Sequence, residues 1–199
     1  MRYSVTALLL VLSLSLKGQD VSKVNKNLKL PNTLTHEKEL RIYKGFGITN
    51  YTSLLRLYQN QNGIWVAEFH EHYARVKNRA KLRIEMHLLN SDQDLEYVWT
   101  NFLRSYVLKL PNEDQISWKM GRRGTIEKRR GRYTYSTEEL LILDGTGYSI
   151  MVRDEEKENA FYYSNPKSYL KKFPEVDELV FMNEILAIAR STFGIWTEN

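Results

Sequence analysis

The stretch YTSLLRLYQNQNGIWVAEFHEHY, residues 51–73, decides the fold. Apolar and aromatic side chains alternate with polar ones on either side of Asn60-Gln61-Asn62-Gly63, the pattern of two half-buried strands joined by a hairpin loop. With those four residues as the loop, Gln59 faces Ile64, Tyr58 faces Trp65 and Leu54 faces Phe69, so aromatic and aliphatic partners meet on one face. The pattern continues through Arg75-Val76-Lys77-Asn78-Arg79 into a strand over residues 80–89. A turn centred on Lys77-Asn78 sets Tyr73 against Leu82 and Phe69 against Met86. Upstream, Leu40, Ile42, Phe46 and Ile48 alternate as a further strand does, with Gly45 and Gly47 marking a bulge or a close backbone approach.

Downstream, Ser91 and Asp94 predict a helix start, and Leu95, Val98, Trp99, Phe102 and Tyr106 recur at spacings of three and four as one apolar stripe. A basic segment punctuated by Gly121, Gly124 and Gly131 then reads as an exposed loop or a long twisted hairpin. Strands resume near Leu140. Asp144-Gly145-Thr146-Gly147 reverses the chain so that Leu143 pairs with Tyr148 and Leu141 with Ile150. A charged turn, Asp154 to Glu158, leads to a strand at Phe161-Tyr162-Tyr163, ended by Asn165-Pro166. Pro174 opens a last helix that Gly194 stops, with Leu179, Met182, Ile185, Leu186, Ala189 and Phe193 on one side. Together these predict a single α+β domain over residues 39–199: an antiparallel sheet of about seven strands with two amphipathic helices packed on one side.

The N-terminus has one cation, Arg2, then a mostly apolar run from Val5 to Leu16 and a polar exit at Lys17-Gly18-Gln19-Asp20. That run is too short to span a ~30 Å hydrocarbon core as a helix, and its order of charge, apolar core and polar exit is that of a cleaved signal peptide over residues 1–18. Residues 19–38 read as a flexible lead-in, and the mature chain carries no transmembrane segment. The expected location is the periplasm or the extracellular space. The chain contains no cysteine. Disulfides, thiolate metal sites, a cysteine nucleophile and a lipoprotein anchor are therefore excluded. The net charge of +5 falls to +3 once Arg2 and Lys17 are removed. Most of it is local, because Lys119, Arg122, Arg123, Lys128, Arg129, Arg130 and Arg132 face only Glu127 between residues 117 and 132.

In the second half, Leu108-Lys109-Leu110-Pro111-Asn112, Asp144-Gly145-Thr146-Gly147-Tyr148 and Tyr163-Ser164-Asn165-Pro166, followed by the terminal helix, resemble a module of small exported bacterial proteins of uncharacterised function. The resemblance implies a compact secreted fold. It implies no activity, ligand or catalytic residue.

Two groups of residues are candidates for function. Glu68, His70 and His72 share one strand face and, in the register above, oppose His87, Glu85 and Arg83, so His70, His72 and His87 form a weak candidate metal patch. The same pairs serve equally as solvent-facing cross-strand contacts, and a flat exposed face lacks the enclosure that orients metal ligands. The basic segment offers Trp118, Arg122, Arg123, Arg129, Arg130, Arg132 and Tyr133, cations beside aromatic rings, for an anionic polymer, an anionic lipid surface or a docking protein. Asp144-Gly145-Thr146-Gly147 is a turn and no aspartic-protease motif, since Gly145 interrupts the triplet and no second copy supplies a dyad. No cofactor is implied, and Walker, dinucleotide, HExxH and nucleophile-elbow patterns are absent. The expectation is a non-enzymatic exported domain that binds a protein or envelope component. A metal-dependent enzyme built on the histidine strand is the alternative.

Overall fold

Alternation is realised as strands β1 (Lys38–Phe46), β2 (Tyr51–Gln59), β3 (Trp65–Tyr73), β4 (Arg83–Leu88), β5 (Gly121–Arg129), β6 (Arg132–Glu139), β7 (Thr146–Asp154) and β8 (Lys157–Ser164). The computed structural model describes residues 21–46, 49–139 and 145–197, the side chains of Phe46, Arg122, Arg123, Thr137, Glu138 and Glu139 excepted. The helices are α1 (Val21–Leu28), α2 (Leu95–Arg104), α3 (Glu113–Ile116), α4 (Pro166–Lys172) and α5 (Asp177–Phe193), with a 3₁₀ turn at Ser117–Met120. Six strands form one antiparallel sheet in the order β4-β3-β2-β1-β7-β8, and β5 and β6 form a separate two-stranded ribbon. The α+β class and antiparallel pairing therefore hold, while the single sheet of about seven strands becomes six plus two.

One face of the large sheet carries Leu40, Ile42, Leu55, Leu57, Ile150 and Phe161, all buried against the stripe of α5 and the Val98-Trp99-Phe102 surface of α2. All six residues of the expected α5 stripe are buried. Tyr106 leaves the α2 stripe: it lies beyond the helix at φ 56° and is 49% exposed. The terminal helix begins after Pro174, at Asp177, and the proline that starts a helix is Pro166, which opens the short α4 in the position where a missing amide is harmless.

The opposite sheet face is where expectation and structure part. Helices were expected on one side only, and residues 19–38 as a lead-in. Instead, residues 21–38 are built into the fold. Val21, Val24 and Leu28 of α1 pack with Leu30 on Tyr43, Leu54 and Met151. Asn25 accepts from the Tyr43 hydroxyl at 2.7 Å.

The two register expectations are corrected by one residue each. Gln59 pairs with Trp65, Tyr58 with Val66 and Leu55 with Phe69. The Gly63 amide donates to the Asn60 carbonyl and Gly63 adopts φ 75°, so the loop is a turn followed by a left-handed residue, closed by Asn60 donating to the Ile64 carbonyl. Asn60 Oδ1 accepts the amides of Asn62 and Ile64 and fixes this odd-length connection. Across the next turn Tyr73 meets Arg83 and Phe69 meets His87, with Asn78 at φ 60°. The expected hairpin at Asp144-Gly145-Thr146-Gly147 also yields: Tyr148 pairs with Lys44 and Tyr163, and Ile150 with Ile42 and Phe161. Leu141 and Leu143 lie outside the described residues, as do Gly47 and Ile48, and residues 1–20 that hold the expected signal peptide.

Candidate binding surface

The basic segment folds as the β5–β6 ribbon, the second of its two expected forms. Arg130 and Gly131, at φ 50° and 79°, make a two-residue turn whose left-handed residues match the twist of the flanking strands, closed by the Arg129–Arg132 pair. Near its base the register shifts between Arg122 and Thr125. Gly124 is required there, since a Cβ would stand 2.1 Å from the Ser136 carbonyl oxygen.

Pairing sorts the side chains into two faces. Ile126 opposite Tyr135 and Lys128 opposite Tyr133 form one, with the Lys128 ammonium 5.3 Å from the Tyr133 ring centre. Thr125, Glu127 and Arg129 opposite Ser136, Thr134 and Arg132 form the other. Ile126, Tyr133 and Tyr135 are 73%, 73% and 66% exposed, and Trp118 just before the ribbon is 75% exposed. A two-stranded ribbon with one apolar face in water is marginal on its own. Lys128, Arg129, Arg130 and Arg132 crowd its tip, all exposed.

Not every cation of the segment belongs to this surface. Lys119 turns back to the core and pairs with Glu178 at 2.5 Å, which outweighs the burial of Glu178 and draws that carboxyl below its ordinary range. Arg129 is held by Glu127 at 2.8 Å. Arg122 and Arg123 lie on β5, with side chains outside the described ones. Ile126 and Lys128 were missed as site residues, although their alternation against Tyr133 and Tyr135 about Arg130-Gly131 was the available signal.

The histidines are not an exposed patch, and they do not converge. His70 and His72 lie under the N-terminal segment, 8% and 2% exposed, and in the corrected register oppose Met86 and Ile84. His72 Nε2 meets Asn27 Nδ2 at 2.8 Å, and burial, then the nearby Lys23 charge, push its pKa down. His70 pairs with Glu68 at 3.1 Å within a buried network. At its centre Glu39 accepts from Arg41 Nε at 2.7 Å, Arg56 Nε at 2.8 Å and the Thr35 amide at 2.7 Å. Arg41 also donates to the Pro31 and Thr33 carbonyls. Burial alone would raise the Glu39 pKa, but the Arg56 hydrogen bond, the Thr35 amide and the Arg41 charge hold it at about 2.

His87 projects from the other face, 3.6 Å from Glu71. Among the described residues, Glu71, Glu85 and His87 are the group able to hold a metal ion, with ligand atoms within 4.8 Å of one another. Glu71 already accepts from the Tyr51 and Tyr73 hydroxyls, and Glu85 lies 3.4 Å from Arg83. Beside α4 and α5 a cleft of about 230 Å3 is lined by Lys44, Tyr148, Lys167, Arg190 and Trp196, among others, and, among the described residues, by no carboxylate or imidazole. Among the described residues no helix is long and apolar enough to cross a membrane. The chain matches no family model, no curated protein and no solved structure.

Proposed function

We propose that the chain is an exported, non-enzymatic binding module that grips an anionic envelope component through the β5–β6 ribbon. One observation carries the reading: three exposed cations, Lys128, Arg130 and Arg132, crowd the tip of a ribbon whose exposed face is Ile126, Tyr133 and Tyr135. Cations supply attraction to phosphate or carboxylate groups, and the aromatic face supplies desolvated contact once the partner is near. Export rests on the order of charge, apolar run and polar exit in residues 1–18 and on the resemblance to exported modules.

The test titrates the purified protein against heparin and against vesicles rich in anionic lipid, at low and physiological salt. Binding that weakens steeply with salt is expected, since each neutralised anion releases condensed counterions. Lys128→Ser, Arg130→Ser and Arg132→Ser together should weaken binding by about 3 kcal/mol, at ~1 kcal/mol per cation near an anionic surface, with the melting temperature unchanged. No binding to either probe at low salt would sink the reading. Protein docking would instead show a shallow salt response and depend on Trp118 and Tyr133.

A further inference from the structure

The two edges of the large sheet are finished differently. On β8 the outward amide of Tyr162 donates to Asn112 Oδ1 at 2.8 Å, and that of Ser164 donates to Glu113 Oε2, so α3 caps this edge. On β4 the Leu89 amide, just past the strand, donates inward to the Ala67 carbonyl. By strict alternation Arg83, Glu85 and His87 also turn their backbone groups toward β3, and Ile84, Met86 and Leu88 turn theirs outward. No side chain or helix among the described residues caps them. The strand contains no proline or lysine, the usual guards of an open edge. Its Ile84, Met86 and Leu88 side chains share one face and are 38%, 54% and 67% exposed.

We propose that β4 pairs with β4 of a second copy of this chain, antiparallel about a two-fold axis, joining the two sheets into one. Backbone geometry restricts the register: only Ile84, Met86 and Leu88 have groups to offer, so they must meet one another, which leaves registers centred on Glu85, on Met86 or on His87 as those with more than one such pairing, and only the Met86-centred one uses all three. Centring on Glu85 sets two carboxylates face to face across the axis. Centring on Met86 sets Met86 against Met86 and Ile84 against Leu88 on the apolar face, and Glu85 against His87 twice on the other. Two carboxylates directly opposite are unfavourable, whereas Glu85 can accept a hydrogen bond from the His87 ring, so the Met86-centred register, which also engages all three outward residues, is selected. The strand is thus complementary to itself on both faces, as a two-fold interface requires. A single pair of six-residue strands is a small interface, so the dimer is reversible.

Sedimentation equilibrium over a wide concentration range reads the mass directly. The expected result is a shift from one chain to two, abolished by Met86→Lys, which is exposed and leaves the melting curve intact. The chain has no cysteine, so single-cysteine variants report the register without background. Met86→Cys should give a disulfide-linked dimer on mild oxidation and Glu85→Cys should not. A protein that stays monomeric at the highest concentration, a dimer that survives Met86→Lys, or cross-linking through Glu85→Cys in place of Met86→Cys would each overturn the proposal.

Discussion

Replacing Glu39 with glutamine keeps the side chain's shape and removes the charge that Arg41 and Arg56 share at the centre of the polar sheet face, leaving Arg56 the longer ion pair to Glu68 at 3.4 Å. The side chains of Glu39 and Arg41 are 0% exposed and that of Arg56 is 9% exposed. Two routes give the magnitude. A carboxyl moved from its ordinary value of 4.5 to about 2 is worth about 3 kcal/mol at neutral pH, at ~1.4 kcal/mol per pH unit. Removing one partner of a buried pair costs roughly 3–5 kcal/mol, because an uncompensated charge stays behind. Both place the loss near 3–4 kcal/mol, or about 10 °C in melting temperature for a domain of this size.

The pH dependence is the sharper assay. The Glu39 pKa is depressed in the folded state, so between about 4.5 and about 2 the unfolded chain binds more protons. The Glu39 contribution is therefore complete above the unfolded value and lost as pH falls through that window. Urea unfolding of wild type and Glu39→Gln, from pH 7 to pH 2, should show midpoints separated by about 1–2 M at neutral pH and converging in acid. A neutral-pH difference below about 1 kcal/mol, or parallel profiles through acid, would refute the assignment. Amide exchange in residues 21–37 should rise in the variant, because Arg41 ties the Pro31 and Thr33 carbonyls to the sheet.

His72 has a depressed folded pKa, so the unfolded state takes the proton more readily and stability should fall as pH drops below the ordinary histidine value near 6.5; comparing wild type with His72→Gln between pH 7.5 and 5 isolates that loss. His70→Ala with His72→Ala should lower unfolding stability by about 2–4 kcal/mol with or without added zinc, since both rings are buried; an effect that appears only with zinc would restore a metal role. Tyr43→Phe should cost about 1 kcal/mol through the lost bond to Asn25, measured by urea midpoint. Met182→Ala, inside the α5 stripe, should cost about 2–5 kcal/mol, and a loss under 1 kcal/mol would mean the α5 packing is misjudged.

Apolar periodicity was legible wherever a face was buried against apolar neighbours. The α5 stripe needed only spacing, and β1, β2 and β3 needed only alternation. Register was not legible, because the connection of β2 to β3 depends on Asn60 capping Asn62 and Ile64 and on Gly63 at positive φ, which turn an apparent four-residue loop into a three-residue one. One residue of slip there exchanged every β2–β3 partner, and a separate one-residue slip across the turn that holds Asn78 at φ 60° dissolved the supposed opposition of His70 to Glu85. The ribbon was half legible: its glycines and charges announced it, while the inward turn of Lys119 depended on Glu178, distant in sequence.

The polar sheet face explains the largest miss. A strand that alternates apolar and polar residues reads the same whether its polar side meets water or a covering segment, since both demand hydrogen-bonding side chains. Glu39, Arg41, Arg56, Glu68 and His70 engage one another and the backbone of residues 31–36, and His72 meets Asn27, so polarity there reports a buried network in place of a solvent face. The covering segment itself held a signal. Val21, Val24 and Leu28 stand three and four apart, one face of a helix. Asn25, Asn27 and Asn32 made the stretch resemble a linker, yet Asn25 and Asn27 engage Tyr43 and His72. A polar alternation beside a short amphipathic repeat is thus better read as two surfaces that cover each other. The Glu39→Gln profile tests that reading directly, because a solvent-facing carboxylate would show no depressed titration to lose.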